Sequence, residues 1–212
     1  MSEIFPLYEV FLSAFVALFV IIDPPGIAPV FAGLTQDAPA SHQRKMALKG
    51  VFIGTLILVF FAFMGKPFLG LLGISIDALR VAGGLMLFII ALEMVFEKRT
   101  ARKQHAAEQM DEYFEDISVF PLAMPLLAGP GAITTIMLSV ADAGSDMTAQ
   151  LVVTGALVAV MLVALIVFLI AGPVMKLMGP TVNAVLTRLL GVILAALATQ
   201  FVLDGLRNSF SG

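Results

Sequence analysis

FVIIDPPGIAPVF, residues 19–31, is an apolar run broken at its centre by an aspartate, two prolines and a glycine. Val10 to Ile22 alone is too short to cross a bilayer, which takes roughly 20 mostly apolar residues. The chain must therefore continue through Asp23-Pro24-Pro25-Gly26 to Leu34, and the break falls inside the membrane. Half a chain later the pattern returns in FPLAMPLLAGPGAITT, residues 120–135. Phe120–Leu127 and Ala132–Val140 cross only as one span, interrupted at Ala128-Gly129-Pro130-Gly131. An interrupted span exposes backbone polar groups to hydrocarbon. That costs several kcal/mol per unsatisfied group unless the break lines a cavity or holds something. Broken spans at matching places in two halves point to a transporter's binding site.

The rest of the chain fits that frame. Apolar residues make up 60% of the 212 and charged residues 13%, far from a soluble-domain mixture. No polar stretch is long enough for a separate soluble domain. No signal peptide is expected either, because Met1 to Glu9 carries acids and no Lys or Arg. Cysteine is absent, which excludes disulfides, thiol catalysis and thiolate metal sites. The two histidines, His42 and His105, fall in polar loops and form no metal cluster. No basic patch alternates with aromatics, so no nucleic-acid partner is expected. No Ser–His–Asp set, HExxH, P-loop or catalytic carboxylate pair occurs, so neither an enzyme nor an ATP-driven pump has residues to carry it, and no cofactor or metal is implied.

Six spans are expected, at 7–33, 47–65, 78–96, 118–140, 150–171 and 184–205, with spans 1 and 4 discontinuous. Positive residues favour the cytoplasm. Arg44, Lys45, Lys49, Lys98, Arg99, Arg102, Lys103, Lys176 and Arg188 gather on one side, against Lys66, Arg80 and Arg207 on the other. Both termini are therefore expected outside. Residues 98–117 read as a solvated cytoplasmic helical linker between halves 1–97 and 118–212.

The halves resemble one another. At an offset of 106, Asp23-Pro24 falls on Gly129-Pro130, Lys66-Pro67 on Gly172-Pro173, Gly73 on Gly179 and Asp77-Ala78 on Asn183-Ala184. With one or two extra residues, Arg80 and Gly83 match Arg188 and Gly191, and Glu93 and Glu97 match Gln200 and Asp204. Three spans per half is an odd number, so the second copy enters from the opposite side. The fold expected is all-α, a membrane protein of six transmembrane helices in two inverted three-helix repeats.

Asp is a favoured N-cap, and proline fits the first helical turn. Asp23 is thus expected to cap a half-helix from Pro24 to Leu34 that carries Gly26 and Pro29. In the second copy Gly129 takes the cap position, before Pro130 and Gly131, and has no carboxylate. The free N–H groups and positive dipole end are open to an outside anion. Thr134 and Thr135 would offer hydroxyls to the same cavity. A substrate carboxylate on Gly129–Gly131, with Asp23 facing the ammonium or carrying a coupling proton, is the functional reading. The plain alternative is that Asp23 only caps its helix and the prolines are packing kinks. Glu93 either snorkels to the interface or joins the cavity, as do Asn183 and Gln200, since polar groups often only join helices. Gly83, Gly84 and Gly191 read as close-packing positions that leave an oligomer open, and Lys66 and Arg80 read as interfacial anchors.

The two motifs, the length and the six spans resemble the MarC family of bacterial inner-membrane proteins, over essentially the whole chain. The resemblance carries to Asp23, Pro24, Gly26, Pro29, Pro125, Gly129, Pro130, Gly131, Thr134 and Thr135. It implies a relation to LysE-type exporters and to members described as small neutral amino-acid transporters. It also implies a multi-pass protein of the bacterial inner membrane. The expected activity is secondary transport of glycine, alanine, serine or threonine, outward, coupled to H+ or Na+. The expected partners are the substrate, that ion and the lipid bilayer. The rivals are a channel or a lipid- or drug-handling protein, and a non-transporting membrane protein linked to stress or antibiotic resistance.

Overall fold

In the computed structural model each apolar run becomes a helix, and no strand occurs among the described residues. The structure describes residues 4–36, 38–96, 98 and 116–210, with 4–6 and 172–181 described by their backbone only. The elements are α1 (Ile4–Ile22), α2 (Pro24–Leu34), α3 (Ala40–Leu71), α4 (Ile76–Val95), α5 (Ser118–Leu127), α6 (Pro130–Asp142), α7 (Met147–Leu169) and α8 (Ala171–Phe210). The expected linker falls, from 99 to 115, outside the described residues, and so does His105.

Spans 2 and 6 are longer than the apolar windows suggest. α3 has 32 residues and α8 has 40, about 48 and 60 Å at 1.5 Å per residue. Both outrun a hydrocarbon core of about 30 Å. Hydropathy marks only the part of a helix that lipid requires, and polar ends such as Ala40–Lys45 continue the winding beyond it. α8 starts at Ala171 rather than near 184.

α5 is not one continuous helix but short turns joined across a kink, with Phe120 and Met124 extended (φ −137 and −135°). Each precedes a proline, whose ring pushes its neighbour out of the α region. α5 and α6 meet at a bend of 57°. Three glycines of α3 show that the bent pair is a single crossing. A Cβ at Gly50 would lie 2.5 Å from Leu122 Cδ2, one at Gly54 3.2 Å from Leu127 Cβ, and one at Gly65 2.6 Å from Met137 Cε. The bent span therefore runs parallel to α3 along its length and leaves on the opposite face. With the five other apolar helices this gives six crossings.

α4 and α8 form an antiparallel pair in the closest approach of the fold. A Cβ at Gly84 would sit 2.7 Å from Ala198 O and 2.7 Å from Val202 Cγ2. One at Gly191 would sit 3.1 Å from Ala91 O and 3.1 Å from Val95 Cγ2. The packing role read for Gly84 and Gly191 is therefore what these residues do. Around this pair, α1 packs on α7, α5 on α3, α2 on α7 and α8, and α6 on α3 and α4.

The core between helices is apolar, with Leu18, Ile22, Ile27, Leu58, Leu87, Leu127 and Met161 fully buried. The outer face is apolar as well. Phe52, Leu56, Phe60, Met64 and Phe68 recur every fourth residue along α3 and are all exposed. In water such a stripe would be a liability; in a bilayer it is the lipid face.

Candidate functional site

The first break follows from what proline lacks. Pro24 and Pro25 have no N–H to give the carbonyls of Val20 and Ile21, which are the next acceptors in the helical ladder. Gly26 N turns instead to Asp23 Oδ1 at 3.1 Å. Asp23 adopts the left-handed conformation (φ 58°, ψ 61°), which Asp tolerates better than most residues. The ladder then resumes, with Asp23 N donating to Phe19 O at 2.9 Å and Ile27 N to Asp23 O at 3.1 Å. α1 and α2 thus run on as one span, Leu7–Leu34. Asp23 is the expected N-cap of α2, and it is 1% exposed. Gly26 is the residue that permits this, because a Cβ there would lie 2.0 Å from Asp23 Oδ2. Pro24 is buried beside it, and Pro29 sits half-buried inside α2.

The second break is built differently. Gly129 is the N-cap of α6, in extended backbone (φ −76°, ψ 168°), and no side chain caps the helix. Pro130 occupies the first turn and is exposed. Gly131 is buried, and a Cβ on it would meet Ile21 Cδ1 at 2.8 Å and Leu87 Cδ2 at 3.1 Å. The open start of α6 therefore lies against the last turn of α1, two residues before Asp23. The two interruptions are neighbours in space.

Thr134 and Thr135 are both buried but differ in what they touch. The Thr134 methyl fills the notch at Gly83, whose Cβ would fall 2.1 Å from it. Thr135 is 0% exposed and its hydroxyl has no hydrogen-bond partner. Elsewhere in the chain Thr35, Thr55, Thr154 and Thr199 each return a bond of 2.7–2.9 Å to the carbonyl four residues back. Thr135 makes no such bond to Gly131.

The outlying candidates do not join this place. Glu93 is half-buried in the last turn of α4, and Asn183 is buried in α8, 12 residues after its first residue. Gln200 is exposed and donates to Asp204 Oδ1 at 2.8 Å. Asn183 and Gln200 stand 17 residues apart on one helix, about 25 Å, so a single cavity cannot hold both. The four-residue Gln200–Asp204 spacing was the readable sign of a surface pair.

Two cavities flank the breaks without reaching them. One, about 410 Å³, opens at the face where α1 begins, between Glu9, Ser13, Ala17, Ser139, Asp142 and Phe201. The other, about 450 Å³, opens at the opposite face between Phe31, Thr35, Gln36, Gln43, Arg44 and Phe168. Along span 1 they stop at Ala17 and begin again at Phe31. Of the 13 residues between, about 20 Å, all but the half-buried Phe19, Pro25 and Pro29 are buried, with Asp23 near their centre.

Ion pairs across the bundle were not legible in the sequence. Arg80, expected as an interfacial anchor, pairs with Asp142 at the end of α6, while Lys66 stands exposed near the end of α3. Lys49 Nζ lies 2.6 Å from Asp116 Oδ2. Asp116 also accepts from Ser118 N and Oγ. The Lys49 ammonium, and then Ser118, hold the Asp116 carboxyl well below the usual carboxylate range.

Six apolar crossings, two of them interrupted, and a lipid-facing surface define a multi-pass α-helical integral membrane protein. The chain belongs to the MarC family: the model described as "MarC family integral membrane protein" matches residues 8–210. It is similar to a UPF0056 membrane protein of Archaeoglobus fulgidus, 37% identical over 198 residues that cover 92% of each chain. It is also similar to the UPF0056 membrane protein YhcE of Escherichia coli, 34% identical over 209 residues, 97% of this chain and 95% of the relative. A further relative, from Aquifex aeolicus, is 34% identical over 199 residues, 93% of this chain and 92% of its own. No solved structure matches the chain.

Proposed function

We propose that the chain is a secondary transporter of small neutral amino acids, not an enzyme, and that it needs no cofactor. The observation that carries this reading is a fully buried carboxylate, Asp23, set beside an uncapped helix start, Gly129–Gly131, inside the membrane. The two charges of a zwitterion find complements there: the carboxylate on the N–H groups and positive end of α6, the ammonium or a coupling proton at Asp23. Thr135 adds a buried hydroxyl with no protein partner. Gly131 packed on Ile21 and Leu87 leaves room only for a small side chain once those helices part.

Inverted repeats, with halves 1–97 and 118–212, supply the mechanism. Their support is the reciprocity of the packing. α1 meets α7 as α5 meets α3, and α2 meets α7 and α8 as α6 meets α3 and α4. Adding 107 to Gly84, Ala91 and Val95 gives Gly191, Ala198 and Val202, the same six residues in the same two contacts. The register is one residue off the Gly83–Gly191 match expected from the sequence. Rocking of one half against the other would open each cavity in turn onto the buried zone around Asp23.

On this reading the protein sits in a cytoplasmic-type inner membrane with both termini outside, by its Lys and Arg distribution. It exports its substrate, driven by an H+ or Na+ gradient. The test is uptake of radiolabelled glycine, alanine and threonine into proteoliposomes under each imposed gradient. Saturable flux that is lost in Asp23→Asn supports the proposal. Absence of flux for all three under both gradients overturns it.

A further inference from the structure

Span 4 is an irregular crossing, kinked within α5 at Phe120 and Met124, uncapped at Gly129 and bent by 57°. Its two ends are nonetheless held. Before its first turn, Asp116 takes the ammonium of Lys49 on α3. At its last residue, Asp142 takes the guanidinium of Arg80 on α4. In both pairs the base belongs to the first half and the acid stands at an end of span 4, Asp116 two residues before α5 and Asp142 at the end of α6. The pairs lie on opposite faces, because Lys49 is near the start of α3 whereas Arg80 follows its end.

We infer that Lys49–Asp116 and Arg80–Asp142 are the two gates of the bundle, each closing one face by pinning one end of span 4 to the other half. The inference rests on the transport reading for its purpose, but the motion it describes does not require a known substrate.

Three observations carry it. Asp142 itself lines the 410 Å³ cavity, so releasing Arg80 frees a wall of that cavity. Lys49 stands one to two turns beyond Gln43 and Arg44, which line the 450 Å³ cavity on the other face. The side chains of Lys49 and Asp116 are each 45% exposed; in the other pair Asp142 is 52% exposed and Arg80 12%, so one partner of each pair at least meets solvent. Pairs so placed make weak ties that solvent can replace. A gate must release as well as hold, and a fully buried pair would hold permanently.

The chain has no cysteine, so single cysteines report accessibility directly. Ala17→Cys marks the floor of the first cavity and Ala32→Cys the second. Labelling by a membrane-impermeant maleimide is followed in nanodiscs, where both faces are reachable. Arg80→Gln is expected to raise labelling at Ala17→Cys about two- to fivefold, the range a partly exposed ion pair supports, without raising it at Ala32→Cys. Lys49→Gln is expected to do the reverse. Asp142→Asn and Asp116→Asn break the same pairs from the other side and must reproduce each pattern, which covers a variant that fails to fold. A charge swap, Arg80→Asp with Asp142→Arg, should restore parental labelling. A rise at both faces, or at neither, overturns the inference. Face-selective labelling in a protein that moves none of the three amino acids would leave the gates standing and sink the substrate assignment alone.

Discussion

The closest test of the packing is to place one methyl group where α4 and α8 touch. A Cβ at Gly84 would lie 2.7 Å from Ala198 O and 3.0 Å from Val202 N. Both are backbone atoms, so no side chain can swing aside. To restore ordinary contact at 3.4 Å the helices must separate by about 0.7 Å. Overpacking of this kind costs about 1–3 kcal/mol. Replacing glycine by alanine within a helix returns about 1 kcal/mol, so Gly84→Ala should come out destabilised by about 0–2 kcal/mol. Gly155 on α7 is the matched control, because a Cβ there meets nothing within 4 Å. Gly155→Ala should therefore be stabilised by about 0.4–1 kcal/mol. The gap between the variants is about 1–3 kcal/mol, on the order of 2–10 °C in melting temperature for a chain of this size. Thermal unfolding of both in one detergent measures it. Adding Gly191→Ala to Gly84→Ala should cost less than the sum of the single variants, since both push the same two helices apart and neighbours couple. Gly84→Ala melting together with Gly155→Ala would refute the close approach and the register drawn from it.

Asp23→Asn keeps a capping oxygen and tolerates the left-handed backbone, so its stability should stay within about 1 kcal/mol of the parent. Asp23→Ala loses both and should fall by about 1–2 kcal/mol or more; detergent melting of the two separates the cap from the charge. Phe31 and Phe168 stack at a centroid distance of 5.2 Å, both nearly fully buried. Phe168→Ala should cost about 3–5 kcal/mol, read in the same assay. The Asp116 carboxyl is held below its unfolded value, so the stability it adds is fully present above about pH 4 and is lost as pH falls through the lower folded value. Asp116→Asn should flatten the acid limb of the melting profile and leave pH 5–7 shifted by no more than about 1 kcal/mol, the exposed-pair range.

Local chemistry was legible; contacts between distant helices were not. The Asp23 cap, the Pro24 start and the open Gly129–Pro130 start follow from rules that act over four residues, and the structure has each at the residue read from the sequence. Gly84 and Gly191 were legible as packing positions because small residues in apolar helices have few other uses. Their register was not, since apolar sequence aligns equally well one residue to either side. The start of α8 was misjudged because Gly172-Pro173 and Gly179-Pro180 look like breaks, whereas the backbone winds through both. Arg80–Asp142 joins residues 62 apart, and Lys49–Asp116 residues 67 apart. Neither pair leaves any periodic trace. Thr135 was singled out for its place after the break, but that its hydroxyl would lack the usual bond to the preceding turn could be known only from the fold.

The two interruptions solve one problem in opposite ways, and the difference is set by which glycine stands where. In span 1 the glycine comes three residues after the cap, so the Asp23 carboxylate can fold over the turn and bond Gly26 N. The span supplies its own anion and runs on as one crossing. In span 4 the glycine is the cap itself. No other residue fits there, because a Cβ at Gly129 would stand 2.6 Å from the carbonyl oxygen of Pro125. The turn that Pro125 builds thus excludes every capping side chain from the start of α6. The first N–H groups of α6, left unpaired by helix geometry, must be met by something the span does not contain. Gly131 there packs against the apolar side chains of Ile21 and Leu87. On the transport reading, the substrate carboxylate gives span 4 what Asp23 gives span 1. Such a partner is worth most where burial makes its absence costly. The interaction is made when the solute is present and lost when it leaves, which is the differential binding a conformational cycle needs.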